Sequence, residues 1–402
     1  MNKNPAYGVG FAYRRMFHSD IMRCRNQIDF LEMPTIDYLE RKRRVAADPH
    51  GQFIRQVRET FPCVGHGIDL SIGSVADTET ELLTKTRGFL EQYQITEFSD
   101  HLTFHRMAGK DLSVFMSMPF DTASANWVAS AYNRSKRVLG QPFGLEVVTY
   151  PFIVPGSELT EVEFVNNVTE QTDCWLLLDV ANLFYNSTNH NYDPIEFLDQ
   201  LNGERVQHIH IAGGHKDGDQ WIDSHDHPVH EEVFELLGEA LKRTSARAII
   251  LERDEEPDNF SSIVSDLERT KEVFLSHRPE TMPADLLQNG PPIFEPVRDA
   301  LQMDLASLPE EVEGLRLYQQ ALVDCSFAVA AGNYHNRRPE DVLQDFEISA
   351  QWKPRWENMN WDIFQKLGNQ VRGVQEFEKK AAHYSKLAEL SQWANRRGGF
   401  VS

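Results

Sequence analysis

Eight short apolar, β-prone runs recur along the first 254 residues, each followed by a stretch of helical period, and this alternation constrains the fold most. The runs cover residues 7–13, 28–33, 63–70, 96–102, 142–148, 174–182, 206–213 and 247–254. The helical stretches cover 20–27, 36–60, 78–94, 123–139, 158–172, 194–201, 228–244 and 260–277. Asp193 ahead of Pro194 reads as an N-cap before a proline at the first helical position, and Ser157 ahead of Glu158 reads as a cap of the same kind. Apolar strands alternating with helices belong to a parallel sheet covered on both faces. Eight such units predict a closed (β/α)8 TIM barrel. An open doubly wound sheet would carry a Gly-rich phosphate loop after its first strand, and Gly8-Val9-Gly10 is too short a match.

In such a barrel chemistry gathers at the C-terminal ends of the strands. Polar residues stand at that end of nearly every run: Glu32, His66, Asp100 and His101, Glu146, Asp179 and Asn182, His208 and His210, Glu252 and Asp254. Asp223 and His225 follow the seventh run. Side chains alternate along a strand, so His208 and His210 share a face, as do Glu252 and Asp254. A lone histidine at a strand end is ordinary; the same habit in phase along the whole set is not. The candidate metal ligands are His66, His101, Glu146, Asp179, Asn182, His210, Asp223, His225 and Glu252. Imidazoles, carboxylates and an amide without thiolate suit Fe, Mn or Zn, in a number nearer two or three ions than one.

A formal charge of −21 opposes a nucleic-acid footprint, which is built from Lys and Arg. The four cysteines form no CxxC pair, so a disulfide scaffold and a zinc knuckle are not expected. The N-terminus lacks the apolar core of a signal peptide and no run of 18 apolar residues occurs, so a cytoplasmic protein without a membrane span is expected. Near residue 280 the pattern changes. Pro279, Pro283 and Asn289-Gly290-Pro291-Pro292 mark a linker. Beyond it helices are expected over 310–332, 339–351 and 361–395, the last with an amphipathic stripe of Phe364, Leu367, Val371, Val374 and Phe377. Two regions follow: a barrel over 1–280 and a mostly helical C-terminal extension over 281–402. The stripe is either packed core or a docking face for a partner or substrate.

The segments GHGIDLSIGS, SDHLTF, LEVVTY, LLLDVANLFYNSTNH, IHIAGGHKDG, WIDSHDHPV and ILERD resemble the multinuclear non-heme iron-dependent oxidases, a family that includes the methanobactin-biosynthesis oxidase. The likeness runs over roughly residues 7–275, in order, on the expected strands. It implies the triple-metal TIM-barrel plan of endonuclease IV and xylose isomerase. His66, His101 and Glu146 would hold a first iron. Glu146 would bridge to a second, completed by Asp179, His210 and Glu252, and Asn182, Asp223 and His225 would hold a third. The resemblance further implies two to three Fe(II)/Fe(III) ions with O2 as co-substrate. The substrate would be a ribosomally made precursor peptide whose cysteine is oxidised, with a small partner protein binding the leader. The outcomes implied are excision of the β-carbon of a C-terminal cysteine, as in 3-thiaglutamate biosynthesis, or oxazolone–thioamide formation. Many relatives continue the glutamate strand as Glu-Asn, whereas Glu146 is followed here by Val147-Val148, which alters the pocket wall. Asp100, His208 and Asp254 are the candidates for catalytic or ligand-orienting roles, with Arg253 beside them.

Three rivals are weighed. An endonuclease IV-like zinc hydrolase conflicts with the charge, and with Asn182 where that pattern has histidine. A sugar isomerase or epimerase would want a lysine base at a strand end, and none falls there. A non-catalytic scaffold leaves the ligand set without a purpose.

Overall fold

The computed structural model describes residues 8–35, 52–76, 80–254, 260–278 and 308–331, together with Arg355, Val371 and Arg372. The linker at 279–292, the start of the expected second helix, the helix over 339–351 and, apart from Val371, the stripe of the last helix lie outside the described residues.

All eight runs become barrel strands. These are β1 (Gly8–Ala12), β2 (Leu31–Pro34), β3 (Cys63–Gly67), β4 (Phe98–His101), β7 (Gly144–Glu146), β8 (Leu176–Asp179), β9 (Val206–Ala212) and β12 (Ala248–Glu252). They close a parallel barrel in the order β1-β12-β9-β8-β7-β4-β3-β2. The fold is therefore a (β/α)8 TIM barrel. Its strands are buried almost throughout, as their apolar composition requires.

The helices in chain order are α1 (His18–Arg23), α2 (Gln52–Thr60), α3 (Thr80–Tyr93), α4 (Thr122–Leu139), α5 (Glu161–Thr172), α6 (Val180–His190), α7 (Pro194–Gln200), α8 (Glu231–Arg243), α9 (Phe260–His277) and α10 (Glu310–Ala330). Asp193 caps α7 as expected, accepting from the Ile195 amide at 2.8 Å. The cap expected at Ser157 falls elsewhere. Thr160 and Glu163 form a capping box on α5, while the Ser157 hydroxyl donates to the Val154 carbonyl and accepts from the Phe120 amide. Helix α6 is absent from the sequence expectation. Its apolar start runs directly out of β8, and only Asp179, accepting from the Asn182 amide at 2.8 Å, marks the boundary. Two antiparallel hairpins also lie outside the eight-unit pattern: β5 (Phe104–Met107) with β6 (Lys110–Met116), and β10 (His215–Asp217) with β11 (Gln220–Ile222).

Helix α10, the first of the expected C-terminal helices, lies against the barrel rather than apart from it. Its Gln319 is fully buried, accepts from the Val75 amide and donates to the Gly73 carbonyl, both at 2.7 Å. Leu315, Tyr318, Leu322 and Cys325 of the same helix are equally buried. Among the described residues no helix is long and apolar enough to cross a membrane.

Candidate metal centre

Strand register builds the centre. His101 on β4 and Glu146 on β7 are cross-strand partners, as are Asp179 on β8 and His210 on β9. Partners across parallel strands project to the same side, so each pair enters the barrel mouth together. There the Oε2 of Glu146 lies 3.0 Å from His101 Nε2 and 3.2 Å from His66 Nε2. Its other oxygen lies 3.5 Å from His210 Nδ1, which in turn stands 2.9 Å from Glu252 Oε2. Glu146 thus joins a His66–His101 half to an Asp179–His210–Glu252 half, and one ligand atom from each member of either half lies within 4.8 Å of the others.

The third part comes from a loop. His225 Nε2 lies 2.9 Å from Asp223 and 3.9 Å from Glu252. Along this loop the side chains alternate. Asp223 and His225 turn toward the mouth, whereas Ser224 and Asp226 turn to His215 of β10, whose Nδ1 is 2.9 Å from the Ser224 hydroxyl. His225 holds a left-handed backbone at φ 53°, a conformation that needs such fixing. Gly213 is required beside it. A Cβ there would lie 2.1 Å from the His227 carbonyl, where the loop returns to the end of β9.

Electrostatics explain how so many charges share one mouth. Burial acts to depress the His210 imidazolium, but Glu252, Glu32 and Glu146 outweigh it and hold its pKa well above the usual value. Burial likewise opposes ionisation of Glu146 and Glu252, and the facing imidazoles overcome it and hold both well below the carboxylate range. Asp179 goes the other way, because burial and the neighbouring Asp223, Glu146 and Glu252 push its carboxyl well up. The protein's own cations do not serve every carboxylate here.

The residues fit a metal cluster. Asp179 Oδ2 and Asn182 Oδ1 are buried without a hydrogen-bond partner, while Glu146 Oε2, His210 Nδ1, Asp223 Oδ1 and His225 Nε2 meet only charged neighbours within the same cluster. Each belongs to a residue of the expected ligand set. Buried polar atoms left open this way are costly, and cations among them would satisfy them together.

The expected orienting residues part company. Asp254 accepts from Arg14 Nε at 2.5 Å and lies 3.4 Å from His225 Nδ1, behind the imidazole it would orient. Asp100 is buried but accepts from two backbone amides, Leu70 at 3.4 Å and His101 at 2.8 Å, and so fixes the loop after β3 and its own strand. His208, which the sequence leaves open between such a role and an ordinary packed histidine, stands apart from the centre. It shares the inward face with His210, yet its Nε2 meets Glu97 at 2.8 Å, just before β4 at the other end of the barrel. Arg253 also turns away, donating to Asp266 at 2.7 Å.

Three contributors were missing from the expected set. Glu32 was noted at its strand end but not as a partner of the ligands; it holds His210 Nε2 at 3.0 Å. Ser99 lies 2.8 Å from His66 Nδ1. Arg14 reaches Asp254 and, at 3.4 Å, Glu252. For Arg14 the only signal is its position two residues past the end of β1.

The profile of the RiPP precursor modification enzyme MbnB/TglH/ChrH family matches residues 8–274. A UPF0276 protein of Pseudomonas aeruginosa is 33% identical over 275 residues, covering 68% of this chain and 94% of its own length. A UPF0276 protein of Alcanivorax borkumensis is 32% identical over 269 residues, covering 64% of this chain and 88% of its own. Among solved structures, a xylose isomerase domain protein from Planctomyces limnophilus aligns with 14% identity and a TM-score of 0.42, over 69% of this chain and 99% of that one. The barrel, its ordered strand-end residues and a family match spanning the whole barrel agree, and the chain belongs to the MbnB/TglH/ChrH family of RiPP precursor modification enzymes.

Proposed function

We propose that this protein is a multinuclear iron- and O2-dependent oxidase that modifies a cysteine of a ribosomally synthesised precursor peptide. The observation that carries the reading is the set of buried N and O donors that converge at the barrel mouth and chiefly face one another. Two to three Fe(II)/Fe(III) ions fit the donor set, which offers no thiolate of its own. His66, His101 and Glu146 would hold one, Glu146, Asp179, His210 and Glu252 a second, and Asn182, Asp223 and His225 a third. Iron bound there supplies the oxidising chemistry, with electrons leaving the substrate's sulfur and carbon for O2.

The chain's residues do the rest. Glu146 keeps the two halves of the centre together. Glu32, Ser99 and Asp254 each hold the far side of a ligand imidazole and fix its ring, the usual task of groups behind metal-bound histidines. Phe115 packs on His101 with ring centroids 4.4 Å apart and shields that edge from water. The product proposed first is excision of the β-carbon of a C-terminal cysteine, as in 3-thiaglutamate biosynthesis; the second is an oxazolone–thioamide. A small partner protein that binds the peptide's leader is part of the same proposal.

Metal analysis on anaerobically loaded protein tests it, together with O2 uptake in the presence of a precursor peptide carrying a cysteine near its C-terminus. Two to three irons per chain and peptide-dependent O2 consumption are expected. Full turnover with zinc as the sole metal overturns the oxidase reading.

A further inference from the structure

A cavity of about 370 Å³ opens between the loop after β7 and the turn joining α6 to α7. Glu161 lies in it, 8% exposed. Its Oε2 accepts from the hydroxyls of Tyr150 and Tyr192, both at 2.8 Å, while Oε1 has one long contact, the Asn186 amide at 3.4 Å. An ionised carboxylate offers about four acceptor directions, so capacity remains on Oε1.

What this carboxylate lacks among the described residues is a positively charged partner. Asp121 and Asp266, as deeply buried, close on Arg355 at 2.9 Å and Arg253 at 2.7 Å. Glu161 has no Lys, Arg or His partner among the described residues. The nearby imidazole, His190, points its Nε2 to the Tyr150 carbonyl at 3.1 Å and stacks on the Tyr150 ring at 4.5 Å. Burial pushes Glu161 up to about 7 even with Tyr150, Tyr192 and Asn186 pulling it down. The walls are aromatic, from Phe120, Tyr150, Tyr192 and Phe197, and exposed Ile153 stands at the entrance.

From this geometry we propose that the cavity is a subsite for a cationic side chain, lysine or arginine, of the peptide substrate. The carboxylate would take the charged head by a charge-assisted hydrogen bond and the rings would surround it, while Ile153 lies along the aliphatic stem. The choice of a peptide side chain over a free amine rests on the peptide-modifying reading above; the cation preference does not.

Binding to the full, iron-loaded chain tests it, read by ligand-observed NMR. The probes are N-acetyl-lysine methylamide, its uncharged analogue N-acetyl-norleucine methylamide, which keeps the four side-chain carbons and lacks the ammonium, and n-butylammonium. The lysine probe should bind about tenfold more tightly than norleucine. Glu161→Gln should erase that preference and leave the iron content unchanged, whereas Tyr192→Phe, which keeps the charge, should retain it. Equal binding of lysine and norleucine by the native protein overturns the proposal without recourse to any variant. So does a lysine preference that survives in folded Glu161→Gln. If n-butylammonium binds as tightly as the lysine probe, the peptide assignment is overturned and a cation site remains. None of these readouts depends on turnover, so they stand or fall apart from the oxidase reading.

Discussion

His208 and His210 sit two residues apart on one strand and face the same way, yet they serve opposite ends of the barrel. At the N-terminal end His208 meets Glu97, and Arg247 reaches the same carboxylate at 2.8 Å. Among the described residues, Glu97 is there matched by an arginine and an imidazole. At the C-terminal end Glu32, Glu146, Asp179, Asp223, Glu252 and Asp254 crowd around ligand imidazoles, and the arginine that pairs among them is Arg14. Among the described residues, six carboxylates against one arginine would leave an excess of five negative charges once Asp179 is ionised and the imidazoles are neutral, as metal binding requires. Two or three divalent cations carry four to six positive charges. Residue type does not distinguish a ligand from a structural histidine here; the charge balance around it does.

The sharpest way to break the comparison is Glu146→Gln, which keeps the side chain's size and removes the charge between the two halves. Repulsion between neighbouring cations in a poorly screened site would go less compensated. We expect loss of more than one iron and of all turnover, against at most one iron and partial activity retained for Asn182→Ala. Parallel iron counts and single-turnover assays decide it, and equal single-iron losses would mean that Glu146 does not bridge.

His215→Ala should come next in size. It removes the group that holds Ser224 and Asp226, and so loosens the loop that points Asp223 and His225 inward. One iron per chain should be lost with little change in melting temperature, and His215→Gln should recover part of it. A fall in melting temperature with full iron retained would make His215 a purely structural residue.

The opposite pattern is expected at the other end. His208→Gln should lower stability by about 2 kcal/mol, the scale of a hydrogen bond to a charged partner, and leave iron content intact. Urea denaturation alongside metal analysis reads both; loss of iron in a folded variant would place His208 with the ligands after all.

The smallest effect is a pH dependence at that end. Burial raises Glu97, but His208 and Arg247 outweigh it and set its pKa at about 2. Since the folded value lies below the unfolded one of about 4.3, the stabilisation is full above pH 4.3 and is lost as pH falls toward 2. Denaturation curves of the metal-free protein between these limits should be flatter for Glu97→Gln than for the native chain. Identical slopes would remove the ion pair from the account.

The eight barrel strands were legible because burial on both faces demands near-continuous apolar runs, and the missing Gly-rich loop after the first of them turned the choice from an open sheet to a closed barrel. The polar residues that meet at the barrel mouth were legible for a related reason. Polar side chains that recur in phase along otherwise apolar strands have to meet one another. Helix α6 and the two hairpins escaped, the first because its apolar face continues that of β8, the others because short polar hairpins leave no period.

What the sequence by itself determined is the barrel and the kind of atoms at its mouth, since both are written in periodicity and residue type. What only the tertiary structure decided is which polar residues keep their charge to themselves. Glu32 backs His210 at 3.0 Å, Arg14 pairs with Asp254 at 2.5 Å, and His208 meets Glu97 at 2.8 Å on the floor of the barrel, each with a residue more than a hundred positions away. Hydrogen bonds and ion pairs act over such distances in space and carry no mark in local sequence.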